Sequence, residues 1–407
     1  MGIFFAHGRE PLAGFGAREI RQRAFGFKRQ SGFSLQVVGI LYPEAVYLRV
    51  GRRAVWDKLA GKKSDSLAKG PIIMIITRTP FRISFFGGGT DFPAWYRTYG
   101  GAVLSSTIDK YCYIFARHLP PFFEHKSRIV WSKIENVKDA DEIFHPSVRE
   151  TLKFLDMKDG VEIHHHGDVP ARGGLGSSSA FTVGLLNALY ALRGEEASKI
   201  KLAEEAIHIE QNLIKENVGS QDQTAAAFGG FNRIEFNKEG KIMASPIQMD
   251  SQKSDFFQKH LMLFFTGLTR NSSEVAAEQV KNIPKKRREL ELMKSITNEA
   301  HSILIAKQDN LREFGKLLHQ NWLIKRSLSS QISNPAIDDA YGAAVAGGAL
   351  GGKILGAGGG GFLLFFAEPE AHAKIRENLK NLLYVPFRFE NAGSHVIFKE
   401  DQAKNHA

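Results

Sequence analysis

The chain has 407 residues, of which 43% are hydrophobic and 24% are charged, so it can bury a sizeable core and form two domains. It contains no apolar run near the roughly 18 residues that a membrane-spanning helix needs, and we expect no membrane partner. Its single cysteine, Cys112, excludes an internal disulfide framework and fits a reducing compartment, which predicts a cytoplasmic protein.

The net charge of +11 is unevenly distributed along the chain. Thirteen lysines and arginines precede Met74, against five acidic residues, so most of the positive excess lies in the first 73 residues. The remainder is close to neutral, and we expect no nucleic-acid partner for it. A nucleic-acid module remains an alternative that rests on the basic first segment alone.

Residues 1–73 show neither a helical nor a strand periodicity. They mix glycine, phenylalanine and arginine, and they lack the continuous apolar run of a secretory signal. A second methionine, Met74, stands directly before the first clearly patterned segment, "IITRTPFRISFFGG". We therefore expect residues 1–73 to be a poorly ordered or non-native extension outside the fold.

Residues 74–250 are predicted to form the first domain. The apolar runs of "IIMIITRTPFRISFF" indicate two strands joined by a turn at Pro80. Two long helices are expected to end at Gly194 and Gly219, where glycine follows the periodic pattern. Further strands are predicted in "GGAVLSSTIDKYCYIFARHL", "GVEIHHHGDVP" and "GGFNRIEF", and a short helix in "HPSVRETLKFLDM".

A polar stretch at 246–256 predicts a domain junction, followed by a second domain over residues 251–402. This part begins with a strand-like segment, "HLMLFFTGL", and continues with helical patterns between residues 272 and 328. A strand–glycine loop–strand, one more helix and two closing strands in "VPFRFENAGSHVIF" complete it. Strands and helices mixed in this order predict an α+β fold of two domains.

The segment "DVPARGGLGSSSA" has the composition of an anion-binding loop. Glycines let backbone N–H groups approach a ligand closely, and a helix N-terminus offers unpaired N–H groups that favour phosphate. A capped helix after a tight turn is the structural alternative. The loop is not a Walker A motif, because no lysine follows Gly176.

A second glycine loop, "KILGAGGGGFLLFF", formally matches the dinucleotide-binding pattern. That pattern must open a helix, whereas this loop precedes a strand, so we reject the dinucleotide interpretation. The partner motifs of protein kinases are absent from the sequence as well. A tight hairpin packed against another backbone is the structural alternative.

Four charged residues stand near these loops. Arg82 and Asp91 flank "FFGGG", and they are candidate contacts for phosphate and for hydroxyl groups. Asp222, in "VGSQDQ", is a candidate general base or a turn residue, and Glu210 is a candidate Mg²⁺ ligand or a solvated helix residue.

The order of these motifs resembles the GHMP kinase superfamily, which includes galactokinase and mevalonate kinase. The second family motif, P-x-x-x-G-L-G-S-S-A, is met by "PARGGLGSSSA". The first resembles "TPFRISFFGGGTD", the third "KILGAGGGGF", and the acidic helix-and-turn segment "EQNLIKENVGSQDQ". The resemblance extends from Met74 to the C-terminus, and it implies a ribosomal-protein-S5-like domain followed by a ferredoxin-like domain.

The resemblance implies an ATP-dependent kinase that uses Mg²⁺, with Asp222 as base and Arg82 stabilising the transition state. Ser178 and Glu210 would hold the metal, although three serines compete for that role. Thr90 and Asp91 would bind sugar hydroxyls, and Gly358 and Gly359 would contact substrate and back the phosphate loop. The residues implied to bind the ATP phosphates are Gly173, Gly174, Leu175, Gly176, Ser177, Ser178 and Ser179.

Within the superfamily, the first motif resembles that of the D-glycero-D-manno-heptose 7-phosphate kinases. Gly88 and Gly89 stand where galactokinase has Glu-His, which disfavours galactose. The resemblance implies phosphorylation of the anomeric hydroxyl of a phosphorylated heptose, in surface-polysaccharide (GDP-heptose) precursor synthesis, by a monomer or homodimer. Alternatives are another sugar, such as L-fucose or galactose, and a non-catalytic sugar sensor.

The phosphate carried by such a sugar needs a cationic partner. Arg270, in "TGLTRNSSEV", precedes a predicted helix start and is our candidate for this contact. The run His164, His165 and His166 lies in a predicted strand, where neighbours point to opposite faces, so it does not indicate a metal site.

The first prediction concerns the N-terminal segment. A chain that begins at Met74 should fold and retain the activity of the full chain, because the recognisable motifs all follow this residue. Soluble yield, thermal unfolding and turnover of the two chains provide the comparison. Loss of soluble protein from the shortened chain would contradict the expectation that residues 1–73 lie outside the fold.

Overall fold

The computed structural model describes residues 25–27, 35–42, 45–49, 74–268, 272–306 and 310–400. The chain divides into two compact units, Met1–Gly70 and Pro71–Ala407. In the first unit, β1 (Phe25–Phe27), β2 (Leu35–Tyr42) and β3 (Ala45–Arg49) form an antiparallel sheet in that order. That residues 1–73 are an extension stays a prediction, and most of them lie outside the described residues.

The second unit contains two antiparallel-rich sheets with helices packed against them. Its strands are β4 (Met74–Phe86), β5 (Gly101–His118), β6 (Ser127–Val130), β7 (Ile134–Val137), β8 (Val161–Gly167), β9 (Phe231–Phe236), β10 (Ile242–Pro246), β11 (Leu261–Phe265), β12 (Ala349–Ile354), β13 (Phe362–Ala367), β14 (Leu383–Tyr384) and β15 (His395–Glu400).

Helices and strands of this unit occur in runs, with largely antiparallel sheets, which confirms the predicted α+β class. The helices are α1 (Pro93–Tyr99), α2 (Pro146–Phe154), α3 (Ser177–Leu192), α4 (Lys199–His208), α5 (Gln221–Phe228), α6 (Ser251–Lys259), α7 (Ser272–Asn282), α8 (Arg287–Ile305), α9 (Leu311–Arg326), α10 (Pro335–Ala346) and α11 (His372–Asn378). Among the described residues, none of these helices is both long and apolar enough to cross a membrane.

The first sheet is organised around the long strand β5. One edge of β5 pairs with β4, and its other edge pairs with β9 through its first residues and with β8 through its last. The closing strand β15 pairs with β4 and so returns to this sheet from the C-terminal end of the chain. The division into two domains at residue 250 stays a prediction. That prediction did not anticipate that a strand from the C-terminal part would pair with β4.

Strand β4 is continuous, where the sequence pattern predicted two strands and a turn. Pro80 lies inside the strand, and the pairing with β5 shifts register between Pro80 and Phe81. Proline has no N–H to donate, so it is tolerated in a strand at such a bulge, and a bulge changes the direction of the side chains beyond it. Arg82 follows the bulge directly.

Helix α3 is buried on nearly every side, as its apolar sequence predicts. It packs on β4, where the hydroxyl of Thr77 donates a hydrogen bond to the carbonyl of Gly184 at 3.0 Å. The helix ends at Leu192, and Gly194 follows with a φ of +77°, which confirms the predicted stop.

The second predicted helix is shorter than expected. Helix α4 ends at His208, and a single π turn over Ile209–Leu213 follows it. The helical segment therefore does not reach Gly219. The backbone N–H of Glu216 then bonds to the carbonyl of Glu210 at 2.9 Å, which closes the turn. Such π turns widen a helix locally and often mark functional sites, and Glu210 lies within this one.

The second sheet has the strand order β12-β13-β11-β14, and all of its pairs are antiparallel. It contacts the first sheet through Lys353 of β12, whose Nζ donates to the carbonyls of Ser84 and Phe85 at 2.8 and 3.0 Å. The rings of Phe85, Phe257 and Phe314 also meet across this boundary. Two clusters of buried side chains join the sheets, and each cluster draws residues from both of them.

Two helix glycines provide a paired test of this packing. A β-carbon at Gly184 would lie 2.7 Å from the hydroxyl of Thr79, whereas one at Gly342 would meet no atom within 4 Å. We expect Gly184→Ala to destabilise the protein by about 1–3 kcal/mol through overpacking. Gly342→Ala should stabilise it by about 0.5–1 kcal/mol, because alanine favours helix. Thermal or denaturant unfolding measures the free energy of unfolding of both variants. Equal stability of Gly184→Ala and Gly342→Ala would contradict the close packing of Gly184 against Thr79.

Candidate active site

The predicted phosphate loop connects β8 to α3. Gly174 and Gly176 have φ values of +84° and +75°, which residues with a β-carbon rarely adopt. Gly176 is the N-cap residue of α3, and no side chain caps the helix, in contrast to the capped-helix alternative. The first-turn N–H groups, beginning at Ser177, are thus left for an anionic ligand.

The second glycine loop packs on the phosphate loop, backbone against backbone. A β-carbon added at Gly174 would lie 2.4 Å from the carbonyl oxygen of Leu355, and one added at Gly361 would lie 2.1 Å from that of Gly173. The N–H of Phe362 donates to the carbonyl of Gly173 at 3.1 Å. Contacts this close admit only glycine, so the second loop fixes the position of the first.

Gly358 and Gly359, predicted as substrate contacts, face a different neighbour. The N–H of Gly359 donates to the carbonyl of Ile332 at 2.8 Å, and a β-carbon at Gly358 would lie 2.7 Å from the Ile332 Cα. Both glycines therefore anchor their loop to the segment before α10. Their contact with substrate stays a prediction.

Arg82 and Asp222 form a bidentate ion pair beside the phosphate loop. The Arg82 Nε donates to Asp222 Oδ1 at 2.8 Å, and its Nη2 donates to Oδ2 at 2.6 Å. The remaining Nη1 donates to the carbonyl of Gly174 at 2.6 Å. Arg82 is buried, whereas the Asp222 side chain is 24% exposed, so the carboxylate is oriented and still accessible.

Asp91 is buried behind this pair and holds the local backbone. Its carboxylate accepts hydrogen bonds from the N–H of Gly89 at 2.8 Å and from the side chain of Gln221 at 2.9 Å. Burial, with the nearby charge of Asp222, raises the pKa of Asp91 above its ordinary value. Asp91 thus positions the start of α5, which carries Asp222, and its contact with sugar stays a prediction.

Thr90 has a structural environment that the sequence analysis did not anticipate. Its side chain is fully buried, and its hydroxyl donates to the backbone carbonyls of Gly87 and Ala102. The N–H of Ala102 donates back to the same hydroxyl at 3.2 Å. These bonds tie the turn after β4 to the start of β5, and contact of Thr90 with a sugar stays a prediction.

Glu210 lies in a buried polar cluster below the first turn of α3. Its Oε2 accepts hydrogen bonds from Ser179 at 2.9 Å and from Gln223 at 2.6 Å, while its buried Oε1 has no partner among the described residues. Burial raises the pKa of Glu210 to about 7. A divalent cation takes oxygen ligands and favours the ionised carboxylate, so this arrangement fits Mg²⁺.

The serine that bonds Glu210 differs from the one we predicted as its partner. Ser178 was expected to share the metal with Glu210, but it lies exposed on the first turn of α3. Successive helix residues point about 100° apart, so Ser179 faces the core and Ser178 faces outward. That Ser178 binds the metal stays a prediction. It would reach the ion from the solvent side, and Ser179 lies on the buried side beside Glu210.

Two buried lysines near the site were missed by the sequence analysis. Lys325 donates to the carbonyl of Gly356 at 2.5 Å, and Lys353 bonds to the strand that carries Arg82. A signal for Lys325 was present, because it follows Leu318 and Asn321 at helical spacing on the apolar face of α9. Lys353 precedes the glycine loop and had no comparable signal. Arg270, our candidate for the sugar phosphate, lies outside the described residues.

Comparison with known families agrees with both halves of the second unit. The GHMP kinases N terminal domain family matches residues 143–230, and the GHMP kinases C terminal family matches residues 303–385. The chain is 29% identical over 308 residues to the D-glycero-alpha-D-manno-heptose 7-phosphate kinase of Campylobacter jejuni, covering 72% of this chain and 90% of that protein. It is 28% identical over 228 residues to the mevalonate kinase of Pyrococcus horikoshii, covering 54% and 64%.

Solved structures share the fold. A D-glycero-D-manno-heptose 1-phosphate kinase from Bacteroides thetaiotaomicron superposes with a TM-score of 0.66 at 22% identity, covering 80% of this chain and 99% of that one. Lactococcus lactis galactokinase gives a TM-score of 0.63 at 18% identity, covering 83% and 98%. Both family domains are matched in order, and the glycine loops meet beside an arginine–aspartate pair. The chain therefore carries the N terminal and C terminal domains of the GHMP kinases and is a kinase.

Proposed function

We propose that the chain transfers the γ-phosphoryl group of ATP to the anomeric C1 hydroxyl of D-glycero-D-manno-heptose 7-phosphate, forming the 1,7-bisphosphate. The setting would be synthesis of a surface-polysaccharide precursor. The observation that carries the proposal is the bidentate Arg82–Asp222 pair, with bonds of 2.6 and 2.8 Å, held against the phosphate loop.

The phosphate loop and the start of α3 would bind ATP. Their glycines leave backbone N–H groups open, and the uncapped N-terminus of α3 favours negative charge. Glu210, with Ser179 on the buried side and Ser178 on the exposed side, would hold Mg²⁺. When bound, the ion supplies positive charge to the β- and γ-phosphates.

Asp222 is the proposed base. Both of its oxygens are held by Arg82, which fixes the plane of the carboxylate and leaves one edge accessible. An acceptor hydroxyl placed at that edge would give its proton to Asp222 as its oxygen bonds to the γ-phosphorus of ATP. The bond from that phosphorus to the bridging oxygen breaks, and ADP leaves with the electron pair. Arg82, anchored to the Gly174 carbonyl, would then stabilise charge on the transferred group from a position set before reaction.

The heptose phosphate is favoured as acceptor on two grounds. The Campylobacter relative that aligns with most of this chain is named for that substrate. Gly88 and Gly89 also stand where galactokinase-like motifs have Glu and His, which disfavours galactose as the acceptor. A Bacteroides fragilis L-fucokinase/L-fucose-1-P guanylyltransferase is 27% identical over 343 residues, or 35% of its own length, and keeps fucose as an alternative.

A non-catalytic sugar sensor is the second alternative. Such a protein needs to bind nucleotide or sugar, but it does not need a base. The chain retains Arg82, Glu210 and Asp222, and their side chains are joined in two hydrogen-bonded clusters beside the same loop. This arrangement favours catalysis over sensing.

The base assignment predicts the effect of Asp222→Asn. We expect turnover to fall by about 10²–10⁴-fold while ATP binding persists, because the amide keeps the shape but cannot accept the proton. Steady-state kinetics and calorimetric ATP titration provide the measurements. Asp141→Asn is the matched control, since Asp141 also pairs with a cation, Lys153, but on the surface. An Asp222→Asn enzyme with normal turnover would exclude Asp222 as base.

The acceptor assignment predicts a substrate ranking. In a coupled assay of ADP release, kcat/KM for D-glycero-D-manno-heptose 7-phosphate should exceed that for free mannose, L-fucose and galactose by at least about tenfold. A phosphate bound by a cation typically contributes this much or more. NMR of the product should place the new phosphate on C1. A higher kcat/KM with an unphosphorylated sugar would overturn the assignment.

A further inference from the structure

Lys325 occupies an unusual position for a lysine. It lies in the last turn of α9, is only 4% exposed, and its Nζ donates to the carbonyl oxygen of Gly356 at 2.5 Å. An ammonium group carries three donors, and this bond uses one of them. Burying a charged ammonium group costs free energy unless nearby hydrogen bonds or opposite charges compensate, so a buried lysine needs such partners around it.

Gly356 links Lys325 to the phosphate loop. A β-carbon added at Gly356 would lie 2.5 Å from the Cα of Gly174, so the two backbones are in direct contact. The carbonyl of Gly174 accepts the hydrogen bond of Arg82 Nη1 at 2.6 Å. A short series of contacts therefore runs from Lys325 through Gly356 and Gly174 to Arg82 and Asp222.

The charges around Lys325 are those of the candidate active site. Burial, with a smaller contribution from Arg82, lowers the pKa of Lys325 to about 8, whereas Asp91 and Asp222 oppose the shift. Lys353 is a second buried cation within reach, and its own pKa is lowered by burial and by Lys325. The lysine is thus held near its point of deprotonation beside carboxylates, in a place where bound ATP would add negative charge.

We propose that Lys325 is a positioning residue for phosphoryl transfer, which holds the Gly356 turn against the phosphate loop and adds positive charge behind the Arg82–Asp222 pair. This role rests on the proposed assignment of that loop to ATP and of that pair to catalysis. A neutral amine still donates to Gly356, so deprotonation removes the charge and keeps the hydrogen bond. The two contributions can therefore be separated.

The first test compares Lys325→Met, Lys325→Arg and Lys294→Met. Lys294 is the matched control, because it also donates to backbone carbonyls, those of Tyr99 and Gly100, but outside the site. We expect Lys325→Met to lower kcat/KM for ATP by about tenfold to a hundredfold, with the KM of the sugar phosphate unchanged within about twofold. Lys325→Arg should recover part of the loss, and Lys294→Met should equal the wild type.

The second test isolates the charge. In the wild type, the gain from a protonated Lys325 is present below its pKa and lost as pH rises through it, so kcat/KM for ATP should fall above pH about 8. Lys325→Arg stays charged and should lack this fall. A wild-type profile without the fall, or a Lys325→Arg profile that keeps it, would overturn the proposal.

The outcome can be distinguished from failure of the proposed function. If the wild type phosphorylates none of the sugars offered, the acceptor assignment fails, while calorimetric titration with ATP alone still tests Lys325. An unchanged ATP affinity in Lys325→Met, measured with a normal thermal transition, would then exclude the positioning role. If Lys325→Met does not fold, the ATP affinities of the wild type and Lys325→Arg between pH 7 and 9 decide the question in the same way.

Discussion

At one place in this protein two loops meet with no side chain between them, and the candidate active site depends on that contact. Gly174 lies against Leu355 and Gly356, and Gly173 lies against Gly361, at distances that leave no room for a β-carbon. The loops come from residues almost two hundred positions apart in the chain. Because the second loop is itself held at Ile332, it gives the phosphate loop a rigid support.

The reactive pair is assembled on the same support. The bulge at Pro80 directs Arg82 towards the phosphate loop, and the Asp91 carboxylate positions the start of α5, which carries Asp222. Arg82 then bonds to the loop carbonyl and to the aspartate at once. Two segments distant in sequence, the Gly174 loop and the start of α5, are thereby held within hydrogen-bond distance of one guanidinium group, which is the preorganisation that phosphoryl transfer requires.

Burial sets the electrostatics of this site. Glu210 contacts the first turn of α3, whereas Lys325 contacts the second glycine loop, and burial shifts the pKa of each towards neutral pH. A buried carboxylate and a buried ammonium both lose hydration, so each responds strongly to a bound ion of opposite charge. Bound ATP and its cation would add charges of opposite sign beside these two groups.

Several features could be predicted from the sequence because they depend on local chemistry. The glycine pattern indicated a tight loop before a helix, the apolar period indicated α3 and its end near Gly194, and the order of motifs indicated the kinase family. That the loop binds an anion stays a prediction. Local sequence patterns also gave a wrong prediction of secondary structure at Pro80. The pattern around Pro80 predicted a turn, yet β4 is continuous. The strand pairs with β5 on both sides of Pro80, and the bulge at this residue means that no N–H is needed there.

By itself, the sequence determined the type of most elements, the position of the first glycine loop and the identity of the charged residues near it. Only the tertiary structure decided which of them meet: Ser179 with Glu210, Thr90 with backbone, and Lys325 with Gly356. The physical reason is that composition and periodicity report which residues can be buried or can bind charge. Contacts between residues far apart in the chain depend on sheet register and helix rotation, and a shift of one residue redirects a side chain to another face.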